Sequence, residues 1–441
     1  MRRIFILSQV IFLVLLFACN NSRGRGGEVP DSGLHERLLS LPGVTVKKIA
    51  PDSLFSEAYE LRIEQPLDHQ NPGGEKFTQR IYLSHRDFAR PMVLVTEGYS
   101  AKKNYSLELS KILKANQIVV EHRYFGESRP DSLKWEYLNI RQAAEDHHRI
   151  VELFKPIYKG KWINTGISKG GQTAMFHRRF YPDDVEVSVC YVAPLNFAQE
   201  EPRIHRFLET VDGAECREKI KQFQRRVLKQ RDQLLPLAKW YSKGKGYSYP
   251  MGLEMAFEYA VLEYSFAFWQ WGASPCDSIP GEGASPDQLL DHLIKVAGFD
   301  LFSEADVKYY EPFQYQAYTE IGYYNYRTAD FADLLKAAPP NASNRILAPQ
   351  NVPLAFRPEV MRDVHEWIQT EGNNMLFIYG ELDTWSASAV ETGGKTNAVK
   401  VVQKGGSHKT RINTLPEPGR ELALSTLEQW LDMKIERQPY Q

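Results

Sequence analysis

Trp162-Ile163-Asn164-Thr165-Gly166-Ile167-Ser168-Lys169-Gly170-Gly171 is the stretch on which the fold of this chain turns. A short apolar strand over 162–164 runs into Gly166-Ile167-Ser168-Lys169-Gly170, and a helical pattern over 172–181 follows. A serine at a sharp strand-to-helix turn needs small neighbours, because side chains on either side collide with the turn. The same geometry sets Ser168 at the positive end of the helix, where the backbone N–H of Lys169 can donate to an oxyanion. Alone, a Gly-x-Ser-x-Gly pentad is weak evidence, since glycine is common enough for chance to supply one.

The flanking segments supply context. Strands are expected over 77–84, 92–96, 118–121 and 185–192, with helices over 106–115 and 140–158. Such alternation predicts a mostly parallel sheet with helices on both faces. From about residue 200 to 345 the strands stop. Ile220, Phe223 and Val227 recur at helical spacing among Lys and Arg, and an unusually aromatic helix is expected over 255–271. Strands return over 375–379 and 398–402, and a last amphipathic helix covers 417–430.

Each late strand is followed by a chemical group. Gly380-Glu381-Leu382-Asp383 follows the first and Gly405-Gly406-Ser407-His408 the second, and His408 is the only histidine after Asp383. Serine, then acid, then histidine is the chain order that the α/β-hydrolase fold demands. The expected architecture is an α/β-hydrolase core over 33–199 and 346–441, interrupted by a helical cap over 200–345. In it Ser168 is the nucleophile, His408 the base and Asp383 the group that holds the imidazole tautomer. Glu381 is the rival acid. The second oxyanion donor is expected from Thr96-Glu97-Gly98-Tyr99-Ser100, as the N–H of Gly98 or Tyr99, beside that of Lys169.

Residues 1–19 read as a leader. Arg2 and Arg3 precede an apolar run over 4–17, and Leu16-Phe17-Ala18-Cys19 resembles a lipobox, with Cys19 as the lipidated residue. The apolar run is short for a membrane span, so the expected tie is a lipid anchor with a tether over 20–32, outside the cytoplasm. With 54 basic against 55 acidic residues, the chain lacks the electrostatic footprint of a nucleic-acid binder. Cys190 lies in an apolar run and reads as a core thiol, whereas Cys216 and Cys276 are free to pair in an oxidising compartment. No spacing suggests a metal site, and no cofactor is expected.

Two further segments carry a family likeness. Glu121-His122-Arg123-Tyr124-Phe125-Gly126-Glu127-Ser128 resembles an element of prolyl carboxypeptidase and dipeptidyl peptidase relatives, as does Tyr315-Gln316-Ala317-Tyr318-Thr319-Glu320-Ile321-Gly322-Tyr323. From about Glu64 to Trp430 the chain is more similar still to the secreted bacterial prolyl tripeptidyl/tetrapeptidyl aminopeptidases. That resemblance implies a capped α/β-hydrolase core, the triad Ser168, Asp383 and His408, and release of short peptides from a free N-terminus, often after proline. Tyr318 stands where the carboxypeptidase relatives tend to have cysteine, so their disulfides do not carry over.

An exopeptidase of this kind needs a carboxylate to pair with the substrate ammonium in a partly dry pocket. Glu200, Glu201, Glu258, Glu263 and Glu320 are the candidates, with Trp269 and Trp271 among the cap aromatics that either line a proline-sized pocket or form the cap's own core. Arg123 and Glu127 belong either to an ion-pair network beneath the site or to substrate binding. The expected activity is that of a serine exopeptidase on oligopeptides. An esterase or lipase on the same core, or a non-catalytic binding lipoprotein, are the alternatives.

Overall fold

Apolar side chains run almost unbroken through the central strands because the sheet is covered on both faces. The computed structural model describes residues 33–437; the leader, Cys19 and the tether lie outside them. Among the described residues the strands are β1 (Val44–Ile49), β2 (Glu57–Pro66), β3 (Lys76–His85), β4 (Met92–Thr96), β5 (Asn116–Val120), β6 (Trp162–Ile167), β7 (Val187–Tyr191), β8 (Met375–Gly380) and β9 (Val399–Gln403). They form one sheet in the order β1-β2-β3-β5-β4-β6-β7-β8-β9. Pairings from β1 to β5 across β2 and β3 are antiparallel, and those from β5 through β4 to β9 are parallel.

Alternation sorts the strand residues between the two faces. Val93 and Val95 of β4 and Val119 of β5 pack with Leu424 and Leu427 of the last helix, Gly419–Leu431. Met92 and Leu94, with Ile118 and Val120, pack instead on Ile150 and Phe154 of the helix Ile140–Phe154. The two faces of the sheet therefore belong to separate apolar clusters. The helix expected over 106–115 shortens to Glu108–Ile112, because Lys114 turns left-handed (φ 50°) and β5 begins at Asn116. β1 and β2 were not singled out in the sequence. β1 is an edge strand with a mostly exposed surface, and its Lys47 and Lys48 carry little apolar signal.

Between β7 and β8 the chain leaves the sheet and builds helices over Pro202–Thr210, Ala214–Lys229, Arg231–Lys245, Leu253–Trp271, Pro286–Val296 and Glu304–Gln316. This insertion is not a separate globule. Its Phe223, Tyr264 and Phe302 share one apolar cluster with Met175, Cys190 and Phe377 of the core. Cys190 is a buried free thiol.

Cys216 and Cys276 form a disulfide, with Cα atoms 5.7 Å apart and a sequence separation of 60. Closing a loop of that length removes unfolded-chain entropy equivalent to about 4 kcal/mol in the chain-entropy account. Replacing both cysteines by serine is expected to lower the urea midpoint by up to that equivalent, and reductant should have the same effect on the native chain. Unchanged midpoints in both experiments would mean that the bridge contributes no stability.

Candidate active site

β6 ends at Ile167, and Ser168 follows at φ 57°, ψ −122° before the helix Lys169–Phe180 begins. A non-glycine residue in this region costs of order 1–3 kcal/mol and persists only where its surroundings hold it. Here the Ser168 N–H donates to the Tyr191 carbonyl at the end of β7, at 2.8 Å. A Cβ on Gly166 would overlap the backbone of Gly170, so the turn closes only with glycine there. Ser168, like Ile167 before it, is half-buried, while Lys169 and Gly170 are buried.

The acid and the base come from the loops after β8 and β9. Asp383 is fully buried, and its Oδ2 lies 2.7 Å from His408 Nδ1. Its Oδ1 accepts from the Trp385 N–H at 3.1 Å, so both carboxylate oxygens are engaged. The Leu382 N–H donates to the Gly406 carbonyl at 2.8 Å and ties the two loops together. Glu381 is exposed and accepts from the Gly405 N–H at 2.8 Å, turned away from the imidazole. An imidazole whose Nδ1–H is held by a carboxylate presents Nε2 as the base. The cap reaches this point too: the His408 N–H donates to the Gln270 carbonyl at 2.8 Å, and the Trp271 ring stands edge-on to the imidazole at 5.4 Å.

The loop after β4 lies directly on the start of the helix Lys169–Phe180. A Cβ on Gly98 would sit 2.6 Å from the Lys169 Cβ. Lys169 Nζ donates to the Gly98 carbonyl at 2.8 Å, and burial holds its pKa well below the usual lysine range, partly opposed by the charge of Glu320. Glu121 braces the loop from below. It accepts from the Ala101 N–H at 2.9 Å, from Ser128 Oγ at 2.9 Å and from Arg80 at 2.5 Å, while the His122 N–H reaches the Tyr99 carbonyl at 3.1 Å. Arg123 is buried against Asp146, with Nε–Oδ2 at 2.7 Å, and Glu127 pairs with Arg62 at 3.3 Å. The segment 121–128 is thus a brace beneath the site, with its charges spent internally.

Ser168 and His408 line one cavity of about 540 Å³, together with Tyr99, Lys169, Glu263 and Trp271. Several expected substrate contacts lie elsewhere. Glu320 is buried against the Ile140 N–H, at 2.8 Å, and Arg357; burial lifts its pKa to about 7, against the pull of Arg357. Glu258 pairs with Arg231 and accepts the N–H groups of Lys336, Ala337 and Ala338, so it holds the cap's own loop. Glu201 caps the helix Pro202–Thr210 and pairs with Arg203 at 2.8 Å, and Glu200 accepts from Ser343 Oγ. Trp269 points to a different cavity on the far side of its helix. In each acidic case a partner within the protein has already claimed the carboxylate.

Glu263 is different. It is 4% exposed and accepts from the hydroxyls of Tyr324, at 2.8 and 3.0 Å, and Tyr326, at 2.8 Å. Among the described residues it has no cationic partner, and burial pushes its pKa up to about 7 although both hydroxyls favour the ionised form. Sequence reasoning missed Glu97, Asp300 and Asp306, which also line the cavity. Glu97 stood inside the quoted oxyanion loop and accepts from Tyr105 at 2.6 Å. Asp300 and Asp306 carried no pattern to mark them. No group of His, Cys, Asp or Glu among the described residues is arranged to hold a metal ion, and no described helix is long and apolar enough to cross a membrane.

Several known proteins are similar to this chain. The family profile described as PS-10 peptidase S37 matches residues 28–433. The prolyl tri/tetrapeptidyl aminopeptidase of Streptomyces mobaraensis is 33% identical over 409 residues, covering 91% of this chain and 85% of the relative. A probable serine protease of Arabidopsis thaliana is 26% identical over 209 residues, 42% of either chain. Among solved structures, the proline iminopeptidase of Mycobacterium smegmatis aligns at 13% identity and a TM-score of 0.41, covering 84% of this chain and 98% of that one. The match to the family profile spans nearly all of the described residues, and the chain belongs to the S37 family of serine-type peptidases, on an α/β-hydrolase fold.

Proposed function

We propose that this protein is an extracytoplasmic serine exopeptidase that releases short peptides from the free N-terminus of oligopeptides, with a preference for cleavage after proline. The observation that carries this reading is Glu263, a carboxylate buried in the wall of the catalytic cavity without a cation to pair with. A substrate ammonium is its natural complement, and a charged pair formed away from water is strong enough to select a free amine over a blocked one. A cavity of about 540 Å³ suits the end of a short peptide. The aromatic wall of Tyr323 and Trp385 offers an apolar seat for a proline ring. The name of the Streptomyces relative supports the same substrate class. The leader ending at Cys19 supports a lipid-anchored location outside the cytoplasm.

The chemistry proposed for the triad follows from its contacts. Ser168 Oγ attacks the scissile carbonyl while His408 Nε2 takes its proton and then delivers it to the leaving amine. Asp383 holds the Nδ1–H and stabilises the imidazolium. The N–H groups of Lys169 and of Gly98 or Tyr99 receive the oxyanion. Water then repeats the sequence on the acyl-enzyme and frees the short peptide.

A chromogenic Xaa-Xaa-Pro substrate should turn over with its amine free and not with its amine acetylated. Equal turnover of the two forms rejects the exopeptidase assignment. Ser168→Ala should abolish both this turnover and labelling by a fluorophosphonate probe.

Glu263→Gln is expected to reduce kcat/KM for the free-amine substrate about a hundredfold, the equivalent of about 3 kcal/mol for a broken buried charge pair, while fluorophosphonate labelling persists. A loss below threefold would remove Glu263 from ammonium binding. The pH profile carries the sign: Glu263 must be ionised, so binding grows as pH rises through about 7, and the substrate amine must stay protonated, so it declines above about 8. The labelling rate across the same range reports the triad without Glu263. An acidic limb that is identical in wild type and Glu263→Gln contradicts the assignment.

A further inference from the structure

The helix Leu253–Trp271 stands between two cavities. Glu263, Ala267 and Gln270 face the catalytic one, and Leu262, Ser265 and Trp269 face a second of about 310 Å³ beneath the helices Pro202–Thr210 and Ala214–Lys229. Positions three and four apart share a helical face, so each set is one stripe of the same helix. Phe266 belongs to both walls. So does Tyr324, which arrives from the chain segment after Gly322. Their rings are stacked, with centroids 3.9 Å apart and planes within 8° of each other. Two aromatic rings face to face are therefore part of the partition between the catalytic cavity and the empty space behind it.

We propose that the Phe266–Tyr324 stack is the stop that fixes how many residues of the substrate fit between the scissile bond and its N-terminus. This inference rests on the exopeptidase reading above and gives it a length determinant. The same partition carries the ammonium partner: Tyr324 OH donates to Glu263, and Tyr326, whose hydroxyl also donates to Glu263, lines the second cavity. A substrate whose amine reaches Glu263 has its end at the stack, and one more residue would have to pass through the rings. The second cavity offers such a residue both apolar and polar surface, from Leu208 and Ile204 to Asn325. Phe266 and Tyr324 are the residues common to both walls, so removing the Phe266 ring opens the partition between the two volumes.

Phe266 is the residue to change, because Tyr324 also hydrogen-bonds Glu263. The probe is a set of free-amine peptides with a single proline at positions two to six, assayed for the bond cleaved and for kcat/KM. Wild type should show one preferred length with a steep fall beyond it. Phe266→Ala should raise the ratio of kcat/KM for the next longer peptide to that for the preferred one by about tenfold or more, the scale on which pocket size discriminates. Adding Ser265→Phe to Phe266→Ala should refill the second cavity and restore the short preference. Fluorophosphonate labelling verifies that each variant keeps an assembled triad, and Phe266→Val replaces Phe266→Ala if the latter does not label. An unchanged length profile in a variant that labels overturns the stop. If wild type cleaves acetylated and free peptides alike, the exopeptidase reading fails by itself, and that outcome is visible before any Phe266 variant is made.

Discussion

Everything chemical in this molecule depends on a turn that has no room in it. Ser168 sits at a positive φ between a central strand and a helix, and Gly166 is so close to Gly170 that any side chain would overlap backbone. That strain is held by the sheet: β6 lies between β4 and β7, and the end of β7 accepts the Ser168 N–H. Since β4, β6, β7, β8 and β9 run parallel, their C-terminal ends open on one edge. The loop with Gly98, then Ser168, Asp383 and His408, all follow those ends, which is where an open α/β sheet gathers its ligands.

The second dependence runs through the aromatic helix Leu253–Trp271. Its Gln270 carbonyl receives the His408 N–H, and its Phe266 carbonyl receives Thr384 Oγ1, at 2.9 Å, from the residue after Asp383. The loops that carry Asp383 and His408 are therefore fastened to the cap by backbone carbonyls of residues that also line the cavity of Ser168. A cap that only covered the site could be moved or lost without consequence for the triad. This one shares a core with the sheet and helps to place the imidazole, so the cavity wall and the seat of the His408 loop are built on the same helix.

What the sequence disclosed and what it hid divide along contact range. Ser168, Asp383 and His408 each follow a strand within a few residues, so local pattern and chain order suffice to propose them as a triad. The same holds for Gly98, Tyr99 and Lys169. The carboxylates were harder. Glu258 and Glu263 are five residues apart on one helix, about 140° around its axis, and one is consumed by Arg231 while the other faces the cavity. Glu320 looked functional within a family segment, yet its partners are Ile140 and Arg357, neither close to it in sequence. The disulfide is of the same kind, since the spacing of Cys216 and Cys276 permits the bond without specifying it.

The burial of Glu263 has two consequences with one cause. An ionised carboxylate in this wall lacks solvent, and two tyrosine hydroxyls offset only part of that loss, so its pKa stands near 7. The folded state then holds a proton that the unfolded chain releases near pH 4, and the stability this brings is lost as pH rises through about 7. An ammonium at the same place reverses the balance, because it supplies the countercharge that the protein lacks. On the proposed reading, ammonium binding there expels a proton from the carboxylate when it is protonated. The dryness that makes the unpaired carboxylate costly also makes the completed pair selective, and an acylated amine, which brings no charge, leaves the carboxylate as it was.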